Sequence, residues 1–149
     1  MKLEQLLVKY SGFGKFTFSP SEELKHKCNA PNDKGSVYLI FDISHKNNKL
    51  LYIGSSGQRA KDGTLKVRKG GLYDRIVNRY HPNRFGKDIR IKRKKAFPEE
   101  MLKSGIDTIE IKWWVTYEGI NHDFPTDIKS VLKEKHLKLE ASMPKWHQQ

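Results

Sequence analysis

One cysteine, Cys28, stands among the 149 residues, so no intrachain disulfide can form. A disulfide-stapled secreted scaffold is excluded, and a zinc finger built on several cysteines has no ligands. No apolar run approaches the roughly 20 residues that cross a bilayer. The N-terminal stretch MKLEQLLVKYSGFGKF sets acids and bases inside its only apolar segment, unlike a signal peptide. The six histidines never fall into H-x-x-x-H or H-E-x-x-H spacing, which leaves a zinc hydrolase unsupported. Gly54-Ser55-Ser56-Gly57 does not run on into Gly-Lys-Ser or Gly-Lys-Thr, which leaves a P-loop unsupported. These absences lead us to expect a soluble, cytoplasmic protein without a membrane partner.

Acids are scarce too: 17 Asp and Glu face 29 Lys and Arg, a net charge of +12. The excess favours a polyanion, nucleic acid before an anionic membrane surface. It is concentrated. Fourteen Lys or Arg and three acids between Arg59 and Lys95 give that segment +11 of the +12. Apolar residues such as Leu72, Ile76, Val77 and Ile89 interrupt the charges, the texture of a folded basic surface rather than a solvated tail. The candidate nucleic-acid contacts are Lys66, Arg68, Lys69, Arg79, Arg84, Lys87, Arg90, Lys92 and Arg93. Ile89–Lys95 (IRIKRKK) also has the composition of a localisation signal, a pattern common by chance.

The length suits one domain, and 36% hydrophobic with 11% aromatic residues suffices for a core. Residues 2–10 carry Leu3, Leu6, Leu7 and Tyr10 at helical spacing, and Ser19-Pro20-Ser21 resembles a helix start. Ser36–Ile43 and Lys49–Gly54 read as a hairpin around a polar loop. A helix is predicted over Leu72–Tyr80, another from Pro98 to Gly105, a strand over Asp107–Glu118, and a last helix from Thr126 or Asp127 to Ser142. The expected fold is α+β, with a small three-stranded, mainly antiparallel sheet flanked by helices. A helical N-terminal extension, 1–34, would precede the main domain, 35–149.

Four motifs follow one another through that domain. They are Ser36-Val37-Tyr38, Tyr52-Ile53-Gly54, Leu72-x-x-Arg75-Ile76, and Glu134-x-x-Leu137 followed by Pro144-Lys145-Trp146-His147. In this order and spacing they resemble the GIY-YIG nuclease superfamily over roughly residues 35–147. The first motif lacks its glycine, Gly35 being displaced by one residue. Trp146 replaces the usual tyrosine, and His147 the usual asparagine.

The resemblance implies a DNA endonuclease that hydrolyses phosphodiesters with one Mg²⁺ or Mn²⁺. It implies Glu134 as metal ligand, Arg75 as phosphate clamp, Tyr38 as general base, and Tyr52 holding the water or a phosphate oxygen. Such hydrolysis needs a deprotonated water and cations to neutralise the phosphate. A phenol, with a pKa near 10, serves as base only where cations lower it. The family's His or Tyr one turn after the arginine falls on Arg79 here; Tyr80 is the nearest substitute, with His81 and His147 as secondary candidates. Double-strand cleavage would call for a homo-oligomer. RNA is an alternative substrate. Two other classes stay open: a catalytically silent nucleic-acid-binding module of the same fold, and an interaction protein whose basic patch binds RNA or an acidic protein.

Overall fold

Runs of β-branched and aromatic residues fit a pleated, buried surface, and both central runs form strands. In the computed structural model, which describes residues 2–46, 48–81 and 91–147, these are β2 (Gly35–Asp42) and β3 (Lys49–Ser56). They pair antiparallel, with Tyr38 opposite Gly54 and Ile40 opposite Tyr52. The other edge of β2 pairs with β8 (Ile109–Glu118). β8 in turn pairs with β1 (Phe13–Phe18) and with the short β9 (Asn121–His122). The order is therefore β1-β8-β2-β3, with β9 added to β8, antiparallel throughout.

Two two-stranded ribbons lie outside this sheet. One joins β4 (Gln58–Arg59) to β5 (Leu65–Lys66), the other β6 (Tyr80–His81) to β7 (Ile91–Lys92). The helices are α1 (Lys2–Gln5), α2 (Leu24–Lys27), α3 (Gly71–Asn78), α4 (Arg93–Ser104) and α5 (Pro125–Glu140), and a 3-10 turn covers Lys145–His147. No described helix is long and apolar enough to cross a membrane.

The sheet is covered on both faces. Tyr38, Ile40, Tyr52, Ile109 and Ile111 point to one side, against Leu72 and Ile76 of α3, Phe97 and Met101 of α4, and Trp146. Val37, Leu39, Phe41, Ile53 and Trp114 point to the other, against Leu3, Leu7, Tyr10 and Leu132 of α5. Burying each large apolar side chain contributes about 1.5–3 kcal/mol, so neither face is dispensable.

Three expectations change. The sheet has five strands rather than three, because residues 13–18 add an edge strand and residues 121–122 a short one beside β8. The first 34 residues are not mainly helical: α1 is a single turn, and β1 with Leu3, Leu7 and Tyr10 joins the same two cores. α4 starts at Arg93, not Pro98, and carries the proline inside. A proline there forgoes one backbone hydrogen bond, and the burial of Ala96, Phe97, Glu100 and Met101 around it holds the helix through.

Candidate nucleic-acid interface

Beside the end of β3 opens a cleft of about 330 Å³, between α3, α5 and the β4–β5 ribbon. Among the described residues its walls carry five cations, Lys66, Arg68, Arg75, Arg79 and Lys129, against one acid, Asp74. Ser55, Ser56, Gln58 and Thr126 add neutral donors and acceptors. The ribbon is pinned by Arg59, whose Nη2 donates to Asp127 Oδ2 at 3.0 Å and whose guanidinium lies 3.8 Å from the centre of the Phe124 ring. Asp62 closes the ribbon's turn, accepting from the Thr64 N–H at 3.0 Å and from its hydroxyl at 2.6 Å. Asp74 is already engaged: Oδ2 accepts from Arg79 Nε at 3.1 Å and Oδ1 from Asn78 Nδ2 at 2.8 Å.

Behind this wall stand the motif tyrosines. Tyr38 and Tyr52 lie on the same face of adjacent strands, ring centres 6.0 Å apart. Arg93 is wedged beside them, its guanidinium 5.5 Å from the Tyr38 ring, 5.7 Å from Tyr52 and 5.9 Å from Phe97. It donates from Nη1 to the Arg75 carbonyl at 3.0 Å and hydrogen-bonds the Tyr52 side chain. Burial, with the Tyr38 phenol beside it, pushes the Tyr52 hydroxyl up to about 12, although Arg93 and Arg75 pull the other way. Tyr52 is thus held neutral. The Tyr38 hydroxyl and Arg75 Nε are both buried and have no hydrogen-bond partner among the described residues.

His147 closes the open edge of β3. Its ring stacks on Tyr52, centres 4.1 Å apart and planes at 12°, and Nε2 accepts from the Ile53 N–H at 3.0 Å. An edge strand presents unpaired backbone groups, and His147 satisfies one of them. Burial, then Lys133 and Lys129, push its pKa from 6.5 down to about 4. The folded chain therefore binds this proton more weakly than the unfolded chain does. His147 contributes stability that is complete above pH 6.5 and is lost as the pH falls towards about 4. We expect urea unfolding of His147→Gln to show a shallower loss of stability than wild type across that window. Identical slopes would remove His147 from the acid response.

The predicted residues are thus only partly assembled. Arg75, Arg79, Lys66 and Arg68 line the cleft; Tyr38 and Tyr52 lie behind it; Lys69 and Lys92 are exposed outside its lining. Arg93 is a correction: at 1% exposure it is a core residue that no phosphate reaches. The backbones of Tyr80 and His81 form β6. Arg84, Lys87 and Arg90 lie outside the described residues.

Glu134 is the larger correction. The buried face of α5 runs through Leu132 and His136. Glu134 follows Leu132 by two residues, about 200° around a helix. It is exposed and pairs with Lys138 at 3.5 Å. Val131 and Leu139, apolar residues of the same helix, are both exposed. The α5 residues that reach the cleft are Thr126 and Lys129. Lys129 went unnoticed because a lysine three residues before a core leucine carries no signal until the helix phase is known.

The implied divalent cation does not fit here. Mg²⁺ and Mn²⁺ want carboxylate and water oxygens. The one carboxylate that lines the cleft among the described residues, Asp74, has both oxygens engaged, and five cations surround it. Among the described residues no group of three or more His, Cys, Asp or Glu is placed to share a metal ion. Compared with known proteins, the chain matches no family model, no curated protein and no solved structure.

Proposed function

We propose that this chain is a nucleic-acid-binding module that holds a phosphodiester backbone, of DNA in the first instance, in the cationic cleft without cutting it. One observation carries the reading: among the described residues five cations line the cleft, and the only acid there is already committed to Arg79 and Asn78. Such a wall repels itself until an anion enters, and regularly spaced phosphates are the anions that suit a row of Lys and Arg. Arg75 Nε, buried and without a hydrogen-bond partner among the described residues, adds a donor in want of an acceptor. The GIY-YIG-like arrangement is supported by the adjacent Tyr38 and Tyr52 with Arg75 in front of them. Hydrolysis draws less support, since Tyr38 is fully buried and Glu134 faces away from the cleft.

The test is fluorescence anisotropy with a labelled duplex over a salt titration, run beside plasmid nicking in Mg²⁺ and in EDTA. Binding should fall steeply with salt, Arg68→Ala should lower the slope of log K against log salt by about 1, and plasmid should stay intact. Metal-dependent nicking would restore the endonuclease. Binding indifferent to salt would remove nucleic acid as the partner. Tighter binding to an RNA duplex than to DNA would reassign the polymer.

A further inference from the structure

Resting on the reading of the cleft as a phosphodiester site, we propose that Lys129 takes over the charge-neutralising place of a metal ion, gripping one phosphate jointly with Arg75 in the absence of any divalent cation. The placement comes from the phase of α5. Lys129 lies one turn before the buried Leu132 and shares its side of the helix, so its stem runs along the core and its ammonium emerges into the cleft. Arg75 enters the same space from α3.

Both cations lack internal compensation. Neither forms an ion pair among the described residues, and Arg75 Nε is buried without an acceptor. Burial first, then Lys133, Arg75 and Arg93, push the Lys129 ammonium down to about 8. Half-buried like charges held together are relieved by a bound anion and aggravated by a bound cation. A phosphate suits the pair in chemistry too: the guanidinium offers a planar fork and the ammonium a compact charge. Two fixed positive groups then do what a divalent ion does elsewhere, which is to neutralise a phosphate.

Binding of a labelled duplex in EDTA and in millimolar Mg²⁺, at matched ionic strength, tests this. Wild-type binding should persist in EDTA with a Kd no weaker than in Mg²⁺, since the ion takes no part in the contact and only competes for the phosphates. Lys129→Met keeps the buried stem and removes the charge, and should raise Kd about tenfold while lowering the salt slope by about 1. Lys129→Arg keeps the charge and should stay within about threefold of wild type. Lys129→Glu should raise Kd about a hundredfold in EDTA, with part of the loss recovered in Mg²⁺ as the ion bridges carboxylate and phosphate. Lys135→Ala, on the exposed side of α5, should change Kd less than twofold. Thermal melts confirm that each variant is folded, and Lys129→Gln serves if Lys129→Met is not.

Wild-type Kd and salt slope in folded Lys129→Met would overturn the inference while leaving the cleft as a binding site. So would wild-type binding that disappears in EDTA. Failure of the wild type to bind in any salt would instead overturn the reading of the cleft, and this inference with it.

Discussion

Arg93→Ala is expected to cost about 3–5 kcal/mol of stability, as large as truncating a core aromatic. The side chain is 1% exposed and fills the space between Tyr38, Tyr52 and Phe97. Its removal opens a cavity that three rings cannot close without leaving their packing. It also removes the donor to the Arg75 carbonyl, a loss of about 1–3 kcal/mol where such a group is left unsatisfied. Arg93→Met separates the two effects. It restores much of the volume without the hydrogen bonds, so its cost should be about half that of alanine. Urea unfolding measures both. The same pair of variants tests position: Arg93→Met should leave the salt slope of binding unchanged, whereas Arg68→Ala, on the cleft wall, should lower it. A loss below about 1 kcal/mol in Arg93→Ala would show that the guanidinium is not what holds the two tyrosines in place.

The contrast between Arg93 and Arg68 shows what the sequence could and could not reveal. Both stand in the basic segment, and charge density alone treats them alike. Their separation depends on how the β6–β7 ribbon leads into α4 and turns Arg93 inward, where its backbone N–H bonds the Arg79 carbonyl at 2.9 Å. The tyrosines were easier. Strand periodicity is two, so hairpin residues on facing strands share a side once the register is set, and Tyr38 and Tyr52 do so.

Helix phase was harder. α5 buries His136 and exposes Val131 and Leu139, so its apolar pattern points the wrong way, and Glu134 was assigned the place that Lys129 occupies. β1 was hidden by its glycine. Gly14 interrupts the strand pattern because the Trp113 ring of β8 lies across it, leaving no room for a side chain. In each failure the missing information was a contact distant in sequence.

Gly54→Ala should cost about 3 kcal/mol, at the upper end for adding one methyl to a packed interior. A Cβ at this position would run into the ring and hydroxyl of Tyr38, the residue directly opposite on β2. That ring cannot swing aside: it is fully buried, with Tyr52 6.0 Å away and the Arg93 guanidinium at 5.5 Å. The decisive measurement is a double-mutant cycle. Tyr38→Ala alone should cost about 3–5 kcal/mol through the cavity it leaves. In that background Gly54→Ala should cost less than about 1 kcal/mol, because the colliding ring is gone and alanine suits a strand at least as well as glycine. The coupling, about 2–3 kcal/mol, belongs to the Tyr38–Gly54 pair. Equal costs for Gly54→Ala in both backgrounds would place the need for glycine elsewhere. The prediction is independent of any chemistry in the cleft. It makes the third residue of Tyr52-Ile53-Gly54 a steric consequence of the tyrosine across the hairpin. Two strand motifs that look separate in the sequence are then one cross-strand contact: a tyrosine at position 38 is accommodated because position 54 has no side chain.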